Sequence, residues 1–274
     1  MDKVEIIESE ERRRYLTKKR NKKIAIRSTQ ILILIALIAV WEIFADLGII
    51  DAFIMSSPSR ILDTFAHLSS NGLLHHLEVT LYETLVGFGL GVIFGIIIAT
   101  ILWWSPFLTA VFEPYLVVLN SLPKIALGPV IIIWMGAGTG AIIFMAIAIS
   151  LIVTVMELLN GFHATNKNKI KMAQTFSATR SQIFFKIVFP SNLSTLFNSM
   201  KVNIGLSLVG VIAGEFLVSK AGLGYLIVYG GQVFKLDLVM ASVIILALVA
   251  ALLYGAVELL ENIVIRSINH TSKK

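Results

Sequence analysis

The chain has 274 residues, 57% of them apolar and only 15% charged, with a mean hydropathy of +0.85, whereas soluble globular domains run at roughly 45–50% apolar and about 25% charged. These figures exclude a compact water-soluble domain, which would lack polar surface, and a disordered chain, which would lack polar residues. The absence of Cys removes disulfides, thiolate nucleophiles and Cys-ligated metal centres. The net charge of +6 then asks on which side of a bilayer the Lys and Arg lie.

Residues 1–28 carry Lys3, Arg12, Arg13, Arg14, Lys18, Lys19, Arg20, Lys22, Lys23 and Arg27. They read as a cytoplasmic arm, either lying on anionic headgroups as a helix or only fixing topology. The apolar run Ile31–Trp41 extends through Ile50 despite Glu42 and Asp46, and with no small-residue cleavage site it is a first, uncleaved span. In the outer segment 51–79, Ser56-Ser57-Pro58-Ser59 predicts a short amphipathic helix with Pro58 at its first position. His67, His75 and His76 of that segment do not have the spacing of two metal ligands one turn apart.

A second span is predicted at about Thr80–Leu102, where Gly87, Gly91 and Gly95 line one face for close helix packing. Trp103-Trp104-Ser105-Pro106 makes an interfacial turn. The third span, about Phe107–Met135, contains Pro114, Pro123 and Pro129 and is expected to be kinked or broken at mid-membrane. Residues 136–140 form a loop, Ala141–Leu159 a fourth span, and 161–201 a polar stretch. A fifth span at about Val202–Val218 is followed by a Gly-rich outer loop, Ala221–Gly231, and a sixth at about Leu238–Ile263. The fold class is therefore all-α and polytopic, with about six transmembrane helices. The stretch 161–201 holds Lys167, Lys169, Lys171, Arg180, Lys186 and Lys201 and no acidic residue, and the tail adds Arg266, Lys273 and Lys274. An even span number with both termini and this stretch in the cytoplasm satisfies the positive-inside rule.

Ionisable groups within spans are functional candidates by default. Lys124, between Pro123 and Pro129, either faces an aqueous path that attracts an anion or pairs with a carboxylate. Glu215, preceded by Gly210 and Gly214, either lines that path or pairs with Lys124. Asn120 and Ser121 offer neutral hydrogen bonds to a solute or to a neighbouring helix. Glu42, Asp46 and Glu83 are explained by interfacial placement.

The polar stretch contains two predicted short helices on either side of Ser177. The second places Ile183, Phe184, Ile187 and Val188 on one face and is expected to stop at Pro190. A tethered amphipathic pair of this kind suits docking into the groove of a soluble partner, or lying on the inner leaflet. Its spacing resembles the EAA motif of binding-protein-dependent ABC importer permeases, E-A-A-x3-G-x9-I-x-L-P. Lys171-Met172-Ala173, Ser177, Ile187 and Phe189-Pro190 stand at the motif positions, so Glu, the first Ala, Gly and Leu are replaced. Further stretches are similar to the branch importing nitrate, taurine, aliphatic sulfonates and thiamine-precursor pyrimidines. They are Ser57-Pro58-Ser59, His76-Leu77 with Gly87-Phe88, residues 123–129, Trp134–Gly138, and Gly214-Glu215 with Gly222–Tyr225.

The resemblance implies a MetI-like permease core over residues 29–263, between the basic arm 1–28 and a cytoplasmic tail 264–274. It implies a non-catalytic subunit in the bacterial cytoplasmic membrane, forming the path of a small anion or heterocycle. It also implies a permease homodimer or paralogous pair, two ATP-binding subunits that hold ATP and Mg, and an extracytoplasmic binding protein, with no cofactor in this chain and no nucleic-acid partner. Lys171, Met172, Ala173, Phe176, Ser177, Ala178, Ile183, Phe184, Ile187 and Pro190 are the residues it assigns to ATPase coupling. The sequence itself has no G-x-x-x-x-G-K-[ST] phosphate loop. An ion-coupled secondary transporter is the alternative; it predicts inverted repeats, and the single proline-broken segment has no matching half. A membrane-embedded enzyme would need a nucleophile–base or metal constellation, and the spans as drawn hold neither His nor Cys.

Overall fold

The computed structural model describes residues 10–51, 56–66 and 72–271. The chain divides after Ala66 into two units. In the first, α1 runs unbroken over Glu10–Asp46, about 55 Å at 1.5 Å per residue. From residue 10 onward the basic arm and first span are therefore one helix. Pro58–Ala66 forms α2, as its Ser-Pro start predicts. Glu42 is more than an interfacial acid, because its carboxylate accepts the Ser59 amide at 2.9 Å and satisfies one of the free N–H groups at the start of α2.

The second unit contains α3 (Leu73–Trp104), α4 (Pro106–Ser121), a 3₁₀ turn (Lys124–Leu127), α5 (Gly128–Met135) and α6 (Thr139–Ala164). After α7 (Lys167–Thr175) comes α8, a helical run over residues 180–191, then α9 (Leu193–Val218), α10 (Leu223–Gln232) and α11 (Leu236–Thr271). Among the described residues five helices are long and apolar enough to cross a membrane: α1, α3, α6, α9 and α11. The pair α4–α5, bent by 88°, makes a sixth if counted as one broken span. This matches the expected number.

The core is the packing of α3 and α9 on α6. The glycine row of α3 acts as predicted: a Cβ on Gly87 would lie 2.6 Å from the Ala146 Cβ, and one on Gly91 would lie 2.5 Å from the Ser150 hydroxyl. From the α9 side, a Cβ on Gly210 would lie 2.7 Å from the Ala146 Cα. Small residues on both faces bring the backbones into direct contact, which is how helices associate where no water drives them together.

The break in the third span falls at Pro123 alone. Leu122 is forced extended (φ −66°, ψ 139°), as a residue before proline is. Pro129 sits in the first turn of α5, where its missing amide costs nothing, and Pro114 is carried inside α4. Three boundaries differ from the sequence reading. Helix α3 starts at Leu73, so His75 and His76 are helical; His67 lies outside the described residues. Helix α9 starts at Leu193 rather than Val202, and within it Asn203 Nδ2 donates to Ser199 Oγ at 3.0 Å. Lys201 accordingly leaves the loop and pairs with Glu261 of α11. Most of the Gly-rich outer loop is the helix α10, whose first amides are taken up by side chains of α3 and α9.

Candidate functional site

The loop between α6 and α9 is built as two capped helices. Helix α7 ends in a Schellman arrangement: Ala178 N donates to Ala173 O at 3.1 Å and Ser177 N to Gln174 O at 2.9 Å. This geometry places the residue after the helix in the left-handed region, and Ser177 has φ 57°. Thr179 then opens α8 with a full capping box, its hydroxyl accepting from Gln182 N while Gln182 Oε1 accepts from Thr179 N. Pro190 does not stop this helix. Residues 184–188 form a π turn in which Phe189 N bonds to Phe184 O; the widened turn spares the bond a proline would lose and lets the run continue to Ser191.

The apolar face of α8 is covered by the chain itself. Ile183, Phe184 and Val188 join Ala99, Leu158 and Phe162 in one buried cluster, which corrects the expectation that this face needs a partner's groove. Phe184 is enclosed by Trp103, Phe185, Phe162, Trp104 and Phe189 at 5.0–6.0 Å between ring centroids. Arg180 Nη1 donates to the Trp104 carbonyl at 2.8 Å. The base of the loop is closed by Asn192 Nδ2, which donates to Thr165 Oγ1 and to Val188 O, each at 2.8 Å. Lys171, Met172, Phe176 and Ser177 remain exposed, Ala173, Ala178 and Ile187 partly so, and Pro190 is exposed. Phe176 (79% exposed) and Phe185 (62%) are the largest apolar groups on the outer side. Phe185, Arg180 and Asn192 were not singled out from sequence. Burial agrees with the periodicity here, Phe184 facing inward and Phe185 outward.

At the bend between α4 and α5, Asn120, Ser121 and Lys124 come together within one turn. Lys124 Nζ donates to the Asn120 carbonyl at 3.0 Å, completing the end of α4 as a basic side chain at a helix C-terminus does. Ser121 Oγ donates to Val117 O at 2.9 Å. Lys124 makes no ion pair with Glu215, so the pairing considered from sequence does not occur.

Glu215 lies elsewhere, near the end of α9 away from the loop between α6 and α9, and is 1% exposed. One carboxylate oxygen accepts from Thr80 Oγ1 at 2.7 Å and the other from Gly224 N at 2.6 Å. Thr80 Oγ1 also accepts from Leu223 N at 2.8 Å, and His76 Nδ1 accepts from Gly222 N at 2.9 Å. His76 further stacks on Tyr225 at 5.7 Å. Side chains of α3 and α9 thus take up the first amides of α10, a helix start with no cap of its own. Gly222 has φ 112°, and any Cβ there would strike the Glu215 carboxyl. Glu83, expected at an interface, is instead completely buried beside Glu215.

Among the described residues, five or six helices long and apolar enough to cross a membrane and a two-helix loop between α6 and α9 make this an all-helical polytopic chain. Residues 91–270 match the family described as binding-protein-dependent transport system inner membrane component, and the chain belongs to it. It is 30% identical over 234 residues to the riboflavin transport system permease protein RibX of Chloroflexus aurantiacus, covering 85% of this chain and 87% of that one. The formylaminopyrimidine transport permease protein ThiX of Halalkalibacterium halodurans is 27% identical over 234 residues, 85% of this chain and 93% of that one. The taurine transport system permease protein TauC of Escherichia coli is 25% identical over 227 residues, 80% and 82% of the two chains. The fold is shared with a chain of the inward-facing MetNI methionine ABC transporter at a TM-score of 0.63 and 18% identity, over 70% of this chain and 95% of that one. The chain is thus a permease subunit of an ABC importer.

Proposed function

We propose that this subunit carries a small anion or nitrogen heterocycle across the cytoplasmic membrane, driven by two separate ATP-binding chains that hold ATP and Mg. The solute is handed over by an extracytoplasmic binding protein, and two permease chains form the path. Both termini and the loop between α6 and α9 are cytoplasmic in this reading. The named solutes of the relatives, a formylaminopyrimidine, riboflavin and taurine, support the solute class, and the basic, acid-free loop supports the orientation.

The observation that carries the coupling role is the division of labour across α7 and α8. One side, through Phe184, is bolted to the bundle, while Phe176 and Phe185 stand exposed on the other. A loop fixed rigidly to membrane helices and presenting an unburied aromatic surface can take a push from a docked ATPase and deliver it to those helices. Ala173 and Ser177 lie where the partner backbone approaches, and Asn120, Ser121 and Lys124 at the bend contribute to the path. Glu215, spent on the α10 cap, is left out of it.

The test is to co-purify the ATPase with wild-type permease and with Phe176→Asp, Ser177→Trp and Ala173→Asp variants in the same detergent, and to measure ATPase activity and uptake after reconstitution. Loss of co-purification, or ATP hydrolysis released from uptake, is expected. Unchanged binding together with unchanged uptake would refute the docking surface.

A further inference from the structure

Toward the loop-side ends of α6 and α9 lies a recess of about 480 Å³, lined by Glu157, Asn160 and Ala164 of α6 and by Thr195, Asn198 and Ser199 of α9. The two helices approach closely beside it, where a Cβ on Gly161 would lie 2.8 Å from Asn192 Oδ1 and 3.0 Å from Thr195 Cγ2. Glu157 belongs to a helix apolar enough to cross a membrane, and an ionisable group there is a functional candidate by default. The residue is half-buried and keeps surface open to the recess, while its Oε2 atom is enclosed without a hydrogen-bond partner. Asn160 and Asn198 are exposed at the edges. Further along α9, at four-residue steps from Ser199, Asn203 Oδ1 and Ser207 Oγ are also buried without partners. A polar line thus leads from the recess into the membrane-embedded part of the helix.

None of the lining residues is basic. Lys201, close by on α9, is turned to α11 and pairs with Glu261. An anion entering the recess therefore meets a like charge with no counter-charge in the wall. A carboxylate accepts from N–H donors, and each primary amide offers one carbonyl acceptor and two N–H donors. That set complements a small neutral ring carrying an amino group as donor and ring nitrogens as acceptors, and the volume lies in the range of small-molecule sites.

We infer that this recess holds the solute on its way to the cytoplasm and takes a neutral nitrogen heterocycle bearing an amino group. The amino N–H donates to Glu157, and ring nitrogens accept from Asn160 or Asn198. The assignment rests on the transport role proposed above and narrows its solute from an anion or heterocycle to the heterocycle. Phosphatidylethanolamine headgroups also carry N–H donors, so the test separates lipid from solute.

The complex of permease and ATPase is placed in nanodiscs of phosphatidylcholine, which has no N–H donor, with Ala164→Cys as the single cysteine of this chain. Ala164 lines the recess and offers it no polar side chain. The rate of alkylation by N-ethylmaleimide is read on the permease peptide by mass spectrometry. 4-Aminopyrimidine at a tenfold excess over its dissociation constant is expected to slow alkylation roughly tenfold. Pyrimidine, the same ring without the amino group, and methanesulfonate, an anion, are not. Glu157→Gln keeps the shape and removes the charge, and should raise the half-protecting concentration roughly five- to tenfold. Asn198→Ala, at the exposed edge, should raise it too and serves if the first variant does not assemble. No protection by 4-aminopyrimidine, equal protection by pyrimidine or methanesulfonate, or an unchanged half-protecting concentration in either variant would overturn the site. Protection without solute when phosphatidylethanolamine replaces phosphatidylcholine would assign the recess to lipid and overturn it as well. ATP-driven uptake by the same complex with its binding protein is measured in parallel. Uptake without protection refutes this site and leaves the importer standing, whereas no ATP-driven uptake of either solute class would refute the proposed function itself.

Discussion

Phe184→Ala should unfasten the coupling loop from the membrane bundle. The ring is 2% exposed and touches five other aromatic rings, the nearest being Trp103 at 5.0 Å. Truncating a buried Phe to Ala costs roughly 3–5 kcal/mol, and all of it falls on the contact between α8 and the ends of α3 and α6. At about 1.4 kcal/mol per tenfold change, the equilibrium for local undocking of residues 180–191 should rise by roughly 10² to 4 × 10³. Phe184→Leu keeps most of the apolar volume but loses the ring geometry, worth about 0.5–1.5 kcal/mol per aromatic pair at most, and should lie in between. Amide hydrogen exchange of the reconstituted transporter reads this directly, with peptides from the middle of α3 as the unchanged reference. Faster exchange across 183–192 is expected, together with ATP hydrolysis that persists while uptake falls. Unchanged exchange would refute the aromatic anchor. Faster exchange with full uptake would refute the idea that a rigid loop transmits the stroke.

Glu215→Ala leaves Gly224 N and the Thr80 hydroxyl without their acceptor, a loss of roughly 1–3 kcal/mol for each buried donor left unsatisfied; exchange at 222–226 should accelerate, and Glu215→Gln, which still accepts one amide, should recover part of the protection. Ser177→Gly relieves a left-handed residue with a Cβ, worth about 1 kcal/mol, and should raise the unfolding midpoint by roughly 2–4 °C; a lower midpoint would refute the strain argument. Lys124→Met keeps chain length and removes the charge at the bend, so uptake of an anionic solute should fall with assembly intact, while undiminished uptake would confine Lys124 to closing the end of α4. Single cysteines at Thr179 and Lys220 in this Cys-free chain should react with an impermeant thiol reagent from opposite faces of the membrane, and labelling from one face would overturn the orientation.

Composition and periodicity alone determined that this is a polytopic helical protein, roughly where its spans lie, that Gly87, Gly91 and Gly95 form a contact face, and that the third span breaks. These features are local, because a residue's hydropathy and its one-turn neighbours settle whether a helix sits in lipid and where proline interrupts it. The spacing from Lys171 to Pro190 likewise made the loop and its turn at Ser177 legible, since helix caps depend on residues three or four apart. Only the tertiary structure decided what those residues touch. For Ile183 and Phe184 amphipathicity reports that a face is covered and not by what, whether a partner's groove, the inner leaflet or the chain itself; the cover is Ala99, Leu158 and Phe162, far away in sequence. Pro190 reads as a stop in sequence, since the compensating π turn is invisible in the residue pattern. From sequence Glu215 and Lys124 read either as lining a path or as an opposite-charge pair; in the structure the carboxylate accepts from Gly224 N and Thr80 Oγ1 at the start of α10, while the lysine closes its own helix end. Glu83 looked like an interfacial acid by position, and it is the packing of α6 and α9 around α3 that shuts it away from water.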